Sequence, residues 1–150
     1  MAITSEICNS FKTEILTAVH NFTASSGNTF NLALYTSSAT INKSTTAYSA
    51  TNEISNTSGS AYSAKGNALT SVTPVLDSDT AVCDFSNSSW TSASFTARGL
   101  LLYNTTAITG FTTNRSILAI NFGGDKTVTS GTFTIEFPAA AAATAIIAIA

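Results

Sequence analysis

Acid–base chemistry in this chain would fall to a single imidazole, His20, and to eight carboxylates. His20 would have to be the base of any Ser-His-Asp or Cys-His arrangement. It stands near the end of a predicted helix, where its simpler role is to complement the helix dipole when protonated. Glu53, Asp77, Asp79, Asp84, Asp125 and Glu136 could in principle supply the carboxylate pair of a glycosidase. Most of them sit in turn-forming contexts, where Asp caps its own backbone. Asp77-Ser78-Asp79 has the look of a calcium-loop fragment, yet an oxygen cage needs about six ligands and this stretch offers two. No phosphate loop, dinucleotide fingerprint or CxxC pair occurs. The expectation is therefore no catalytic residue, no cofactor and no metal.

The composition points the same way. Charged residues make up 9% of the 150-residue chain, against about 25% in an ordinary soluble domain. Close to a third of the chain is Ser or Thr. The net charge is −2, and six Lys and Arg are scattered from Lys12 to Lys126, so no basic patch can neutralise a phosphate backbone. Nucleic acid is not an expected partner. The apolar tail from Ala139 to Ala150 is too short for a membrane span, which needs about 20 residues. Low charge combined with 44% hydrophobic residues and a mean hydropathy of +0.25 predicts surface that another protein covers. A symmetric homo-oligomer is expected, with a trimer favoured over a dimer.

Elements follow from the hydrophobic period. Thr4 or Ser5 can cap a helix, Glu6 suits its positive end, and Ile7, Cys8, Phe11, Ile15, Ala18, Val19 and Phe22 recur at helical spacing. The spacing predicts an amphipathic helix over residues 5–20, with Lys12, Glu14 and His20 on its polar side. A strand follows over about 29–36, where Phe30, Leu32 and Leu34 alternate with Asn31, Ala33 and Tyr35. Residues 37–67 carry little beyond Ser, Thr, Ala, Asn and Gly, and read as a long loop leaving the body. From residue 68 to 150 strand-like runs return at the spacing of an all-β body: 69–76, 80–85, 94–104, 116–122, 132–137 and 143–149. Asp77-Ser78-Asp79 reads as a tight connection, Pro74 as an edge or bulge, and Gly123-Gly124-Asp125-Lys126 as a turn. The fold class is mainly β: a single-domain antiparallel sandwich or barrel, jelly-roll-like, with one N-terminal amphipathic helix and a long inserted loop.

The remaining signals concern packing. Leu100, Leu101 and Leu102 run consecutively, so their strand is expected to be covered on both faces, by the sheet core on one side and by the helix or a neighbouring subunit on the other. Arg98 needs a counter-group, for which Glu136, Asp84 or a neighbouring subunit is expected. In the long loop Tyr48, Ile54 and Tyr62 stand as anchors for a partner. In the tail Ile146, Ile147 and Ile149 predict a strand added to a sheet or to a subunit junction. Cys8 and Cys83 are expected as buried reduced thiols, consistent with synthesis in a reducing bacterial cytoplasm, because no secretory leader precedes them. On the same ground the six Asn-X-Ser/Thr acceptors, at Asn21, Asn42, Asn56, Asn87, Asn104 and Asn114, are expected to stay unmodified.

Three stretches carry a likeness to known sequences. They are Ala2-Ile3-Thr4-Ser5 through Phe11; Asn31-Leu32-Ala33-Leu34-Tyr35-Thr36-Ser37-Ser38-Ala39-Thr40 with Thr46-Ala47-Tyr48-Ser49; and Phe95-Thr96-Ala97-Arg98-Gly99-Leu100-Leu101-Leu102-Tyr103-Asn104 continued by Asn121-Phe122-Gly123-Gly124-Asp125-Lys126. Through them the chain resembles a small protein often encoded among the virion genes of tailed bacteriophages. The resemblance implies a virion location and a head decoration, or cement, role bound to the major capsid protein or another virion protein. A tail or fibre component is the rival, and a carbohydrate-binding adhesion module is the next class. Trp90 is the chain's single Trp, which is little for stacking on sugars.

Overall fold

Alternating apolar and hydroxyl-bearing residues favour extended backbone, and strands dominate the computed structural model, which describes residues 2–55 and 59–150. The Asn56 acceptor lies outside the described residues. In chain order the elements are β1 (Glu6–Ile7), α1 (Asn9–Leu16), β2 (Phe30–Tyr35), β3 (Asn67–Ala68), β4 (Ser71–Asp77), β5 (Thr80–Phe85), β6 (Ser88–Asn104), β7 (Arg115–Ile135) and β8 (Ile147–Ile149). They form a five-stranded sheet in the order β1-β7-β6-β2-β3 and a three-stranded sheet in the order β4-β5-β8, with every pairing antiparallel. The chain is thus a mainly β, sandwich-like single domain with one short helix near its N-terminus.

The centre of the large sheet is buried on both faces. Leu32, Leu102 and Leu118 lie in register across β2, β6 and β7 and belong to a core shared with Phe11, Phe22, Phe30, Phe85 and Trp90. One residue along, Ala33, Leu101 and Ala119 form the matching row on the opposite face, with Ile3, Tyr35, Ala39, Ile41 and Tyr103. Each fully buried Leu contributes about 1.5–3 kcal/mol. The three consecutive leucines are therefore explained within one chain: residues 36–48 and Ile3 cover the second face, rather than the helix or a neighbouring subunit.

Three expectations need correction. The predicted helix over 5–20 is cut to eight residues. Glu6 and Ile7 pair with Ala119 and Leu118, and the Cys8 N–H donates to the Ile117 carbonyl at 2.8 Å, so the first predicted turn is spent as a strand. The helix stops at Leu16, which is 86% exposed, and Ala18 follows at φ +57°. Second, residues 37–67 do not leave the body. Tyr48 N–H bonds to Asn114, Ser116 N–H to Thr46 and Ile54 N–H to Leu34, tying the loop to both sides of the sheet. Gly66 (φ +69°) completes its return, where a Cβ would sit 1.8 Å from the Leu32 carbonyl oxygen.

Third, Gly123-Gly124-Asp125-Lys126 is no turn. It lies inside β7, where four residues, 122–125, face the single Arg98 of β6 as a large bulge. Pro74 is found as expected, in the edge strand β4 beside a register shift between Val72 and Val75. The turn between β4 and β5 is closed by the Asp77–Thr80 pair, with Ser78 at φ +55°.

Candidate functional site

Two polar clamps, on Glu14 and on Glu53, fasten peripheral segments to the large sheet, and an ion pair crosses the β7 bulge. The first clamp joins the helix to the ends of β6 and β7. Glu14 is 6% exposed, and its carboxylate accepts hydrogen bonds from Arg115 Nη2 through Oε1 and from His20 Nε2 at 2.7 Å through Oε2. His20 Nδ1 accepts from Asn104 Nδ2 at 3.1 Å, which leaves the single ring proton on Nε2. Asn104 also donates to Asn28 and accepts from the Thr106 N–H. Arg115 further donates to the Thr112 carbonyl and stands 4.5 Å over the Phe111 ring.

Burial pushes His20 below the ordinary imidazole range, against the upward pull of Glu14. Burial alone would raise the Glu14 carboxyl, but the hydrogen bonds from Arg115 and His20 outweigh it and the group sits below the usual carboxylate range. The pairing has the outline of the base and orienting acid of a hydrolase. Both ring nitrogens are already committed and the His20 side chain is wholly buried, so the ring has no nitrogen to offer a substrate. His20 is also no helix-terminal surface residue, because the helix ends before it.

The second clamp is built on Glu53. Its Oε2 accepts from the Tyr48 hydroxyl at 2.6 Å, and its Oε1 accepts from the Tyr62 hydroxyl at 2.8 Å and the Lys65 N–H at 2.7 Å. The Tyr62 oxygen in turn accepts the Leu34 N–H at 2.9 Å. Tyr35 donates to the Ser49 carbonyl and Tyr103 to the Lys65 carbonyl, both at 2.8 Å. All four tyrosines of the chain thus fasten residues 48–65 to the large sheet. Their phenols are pushed above the ordinary range, chiefly by burial.

These contacts correct the reading of Tyr48, Ile54 and Tyr62 as anchors for a neighbour. Tyr62 is 0% and Ile54 5% exposed within the main core, and Tyr48 stacks on Tyr103 at 4.9 Å. They are anchors, but for their own chain. The Arg98–Glu136 pair is likewise replaced. Arg98 Nε meets Asp125 Oδ1 at 2.7 Å across the β7 bulge, while Glu136 is exposed one residue beyond β7. Both members of the observed pair are partly solvated, so it contributes about 0–1 kcal/mol.

Cys8 and Cys83 are free and buried, and burial raises both thiols, Cys83 to about 12, far from a reactive thiolate. Asp84 is 2% exposed with Oδ1 held by the Phe85 N–H, Oδ2 without a partner, and its carboxyl raised by burial. Among the described residues no three His, Cys, Asp or Glu side chains gather as metal ligands, and no helix is long and apolar enough to cross a membrane.

The tail is ordered differently from expectation. Only residues 147–149 form a strand, paired to β5. Ile147 is buried at 5%, Ile146 packs partly against the core, and Ile149 is 56% exposed. Leu76, Ala81 and Ile149 lie in one row across the three strands, on the face that Cys83 and Ile147 share, and all three are exposed where the sheet ends beyond the core. With Val75 at 52% and Leu76 at 71% exposure, the end of the small sheet is the most apolar exposed region of the described chain. The sequence reading placed Leu76 at the end of the strand over 69–76 and did not mark it as a surface residue. The signal was present in Pro74, which marks β4 as an edge.

No protein-family profile, curated protein sequence or solved structure matches this chain.

Proposed function

We propose that the chain is a structural building block of a tailed-bacteriophage virion, in the role of a head decoration or cement protein bound to the capsid shell. The observation that carries the reading is the contrast between interior and edge. The single imidazole and the carboxylates Glu14 and Glu53 are consumed in internal clamps, while the small sheet ends in an uncovered apolar row, Leu76–Ala81–Ile149. In a chain with 9% charged residues such a row favours burial against another protein. The resemblance of the three sequence stretches supplies the virion setting.

A carbohydrate-binding module is less favoured. Trp90 is 4% exposed, enclosed by Tyr62, Phe95 and Phe133, and offers no face for a sugar ring. Gold-labelled antibody against the chain, imaged on purified virions, tests the proposal. Label distributed over the heads supports it, label confined to the tail transfers the chain to a tail or fibre role, and virions without label refute a virion role.

A further inference from the structure

We infer that copies of this chain bind one another head to tail, the tip of the β4–β5 hairpin of one copy seating in an apolar groove on β7 of the next. The inference rests on the reading of the chain as an assembly component.

The groove is lined by Phe122, Lys126, Phe133, Thr134 and Ile135 and has a volume of about 360 Å³. An apolar cavity of about 150 Å³ holds one benzene, so this groove has room for more than one aliphatic side chain. It arises from the β7 bulge. Four residues opposite Arg98 displace the strand, and Phe122, Phe133 and Ile135 are left only partly covered although they belong to the rim of the main core. The outer edge of β7 is also unpaired beyond β1, which reaches only Leu118 and Ala119.

The tip has the complementary form. Leu76 and Ile149 stand 71% and 56% exposed on one face at the end of the small sheet, with Val75 52% exposed on the other. The turn beyond them carries Asp77 and Asp79. Asp77 accepts the Ala142 N–H, whereas Asp79 has no side-chain partner among the described residues. At the groove, Lys126 likewise has no ion-pair partner among the described residues. An apolar tip carrying the unpaired Asp79 thus matches an apolar groove carrying the unpaired Lys126 on the same chain.

Pairing tip to tip would instead set Asp79 beside Asp79, a like-charge juxtaposition that opposes association. Charge therefore selects the heterologous contact, and a heterologous contact propagates into a closed ring or an open filament. A stable contact needs about 800 Å² from each partner, so the seated tip would be the centre of a wider interface.

The test follows the mass of the purified full-length chain by light scattering over a range of concentrations, with thermal melts to verify folding. Wild type is expected above its 15.4 kDa monomer mass. Asp79→Lys and Lys126→Glu should each weaken association about tenfold or more. Leu76→Asp should do the same by removing the apolar tip. Asp79→Lys/Lys126→Glu in one chain should restore assembly. An equimolar mixture of the two single variants should also recover it, but only in even-numbered rings or filaments, because alternating copies satisfy every contact.

A wild-type chain that stays monomeric overturns the inference while leaving virion labelling free to succeed. Oligomers that respond to Leu76→Asp but not to Lys126→Glu would place the contact between tips and overturn the groove. Oligomers unaffected by all three single changes would place the interface elsewhere.

Discussion

Two carboxylates, the buried Glu14 and the half-buried Glu53, hold the same sheet from different directions by different chemistry. Glu14 is neutralised by a full cation, Arg115, and by a polarised imidazole. Glu53 is held by three neutral donors, two phenols and one backbone N–H. Removing a cation from a buried partner strands a charge, which is far more costly than losing one neutral hydrogen bond. The Glu14 clamp should therefore be brittle and pH-dependent. The Glu53 clamp, in which each donor supplies a fraction, should fail by degrees.

The largest effect is expected at Arg115. Arg115→Ala leaves Glu14 buried with only His20 for a partner and should cost about 3–5 kcal/mol in chemical denaturation. The Glu14→Leu/Arg115→Met double variant should recover most of that loss, because it removes both charges together. If the double variant is no more stable than the single, the cost lies in packing and not in the orphaned carboxylate.

At Glu53, Ala should cost about 2–3 kcal/mol, since the buried Tyr62 hydroxyl and the Lys65 N–H lose a charged acceptor while water replaces the acceptor of the partly exposed Tyr48. The loss should be local. Hydrogen exchange should accelerate at the amides of Leu34 and Ile54, which close the contact between the loop and β2, and stay slow in β6. Uniform acceleration across the sheet would show that this clamp governs global unfolding.

How much of this was legible beforehand differs between the clamps. Tyr48, Ile54 and Tyr62 stood out in the sequence as apolar groups in a polar stretch, and they are anchors. Their target could not be read, because the sequence does not tell which side of a sheet a 31-residue loop will cover. Glu14 and Arg115 gave no signal at all. A carboxylate on the polar side of an amphipathic pattern looks solvated, and its burial depends on a strand 101 residues away.

The helix was overextended for a related reason. Ile7, Cys8, Phe11 and Ile15 satisfy a helical period, yet β7 had a free edge to offer Glu6 and Ile7. Tertiary pairing overrode the local period. Where the pattern alternated, as in β2, a strand formed, although its second face, with Ala33 and Tyr35, is buried as well.

The clamps should also separate on acidification. His20 and Glu14 both titrate below their ordinary values of 6.5 and 4.5 in the folded chain. Each therefore contributes stability that is complete above its ordinary value and is lost as the pH falls through the depressed one. Stability should decline below about pH 6.5, with a slope of no more than about 1.4 kcal/mol per pH unit for each proton taken up. His20→Gln, which can still donate to Glu14 and accept from Asn104, should flatten the upper part of that decline.

Asp84 works in the opposite sense. Its raised carboxyl favours the folded chain at low pH, and that contribution is lost as the pH rises. Asp84→Asn should therefore stabilise the chain near neutrality and steepen the net acid loss. A thermal midpoint independent of pH between 7 and 5 in wild type would contradict the assignment of His20 as a buried neutral ring.

The smallest effects distinguish the two phenols on Glu53. Tyr62→Phe removes a hydroxyl that both donates to Glu53 and accepts from Leu34, and it leaves the Leu34 N–H buried without an acceptor. That should cost about 1–3 kcal/mol. Tyr48→Phe removes only a donor. Glu53 Oε2 lies where water can replace the phenol, since Tyr48 is partly exposed, and the ring keeps its stacking on Tyr103. Its cost should stay near or below about 0.5 kcal/mol. Equal costs for the two would mean that the Leu34 N–H finds another acceptor once the Tyr62 hydroxyl is gone, and that Glu53 treats its phenols alike. The graded failure expected of this clamp rests on their being unequal, and the difference between the two Phe variants, read from paired denaturation midpoints at pH 7, measures it directly.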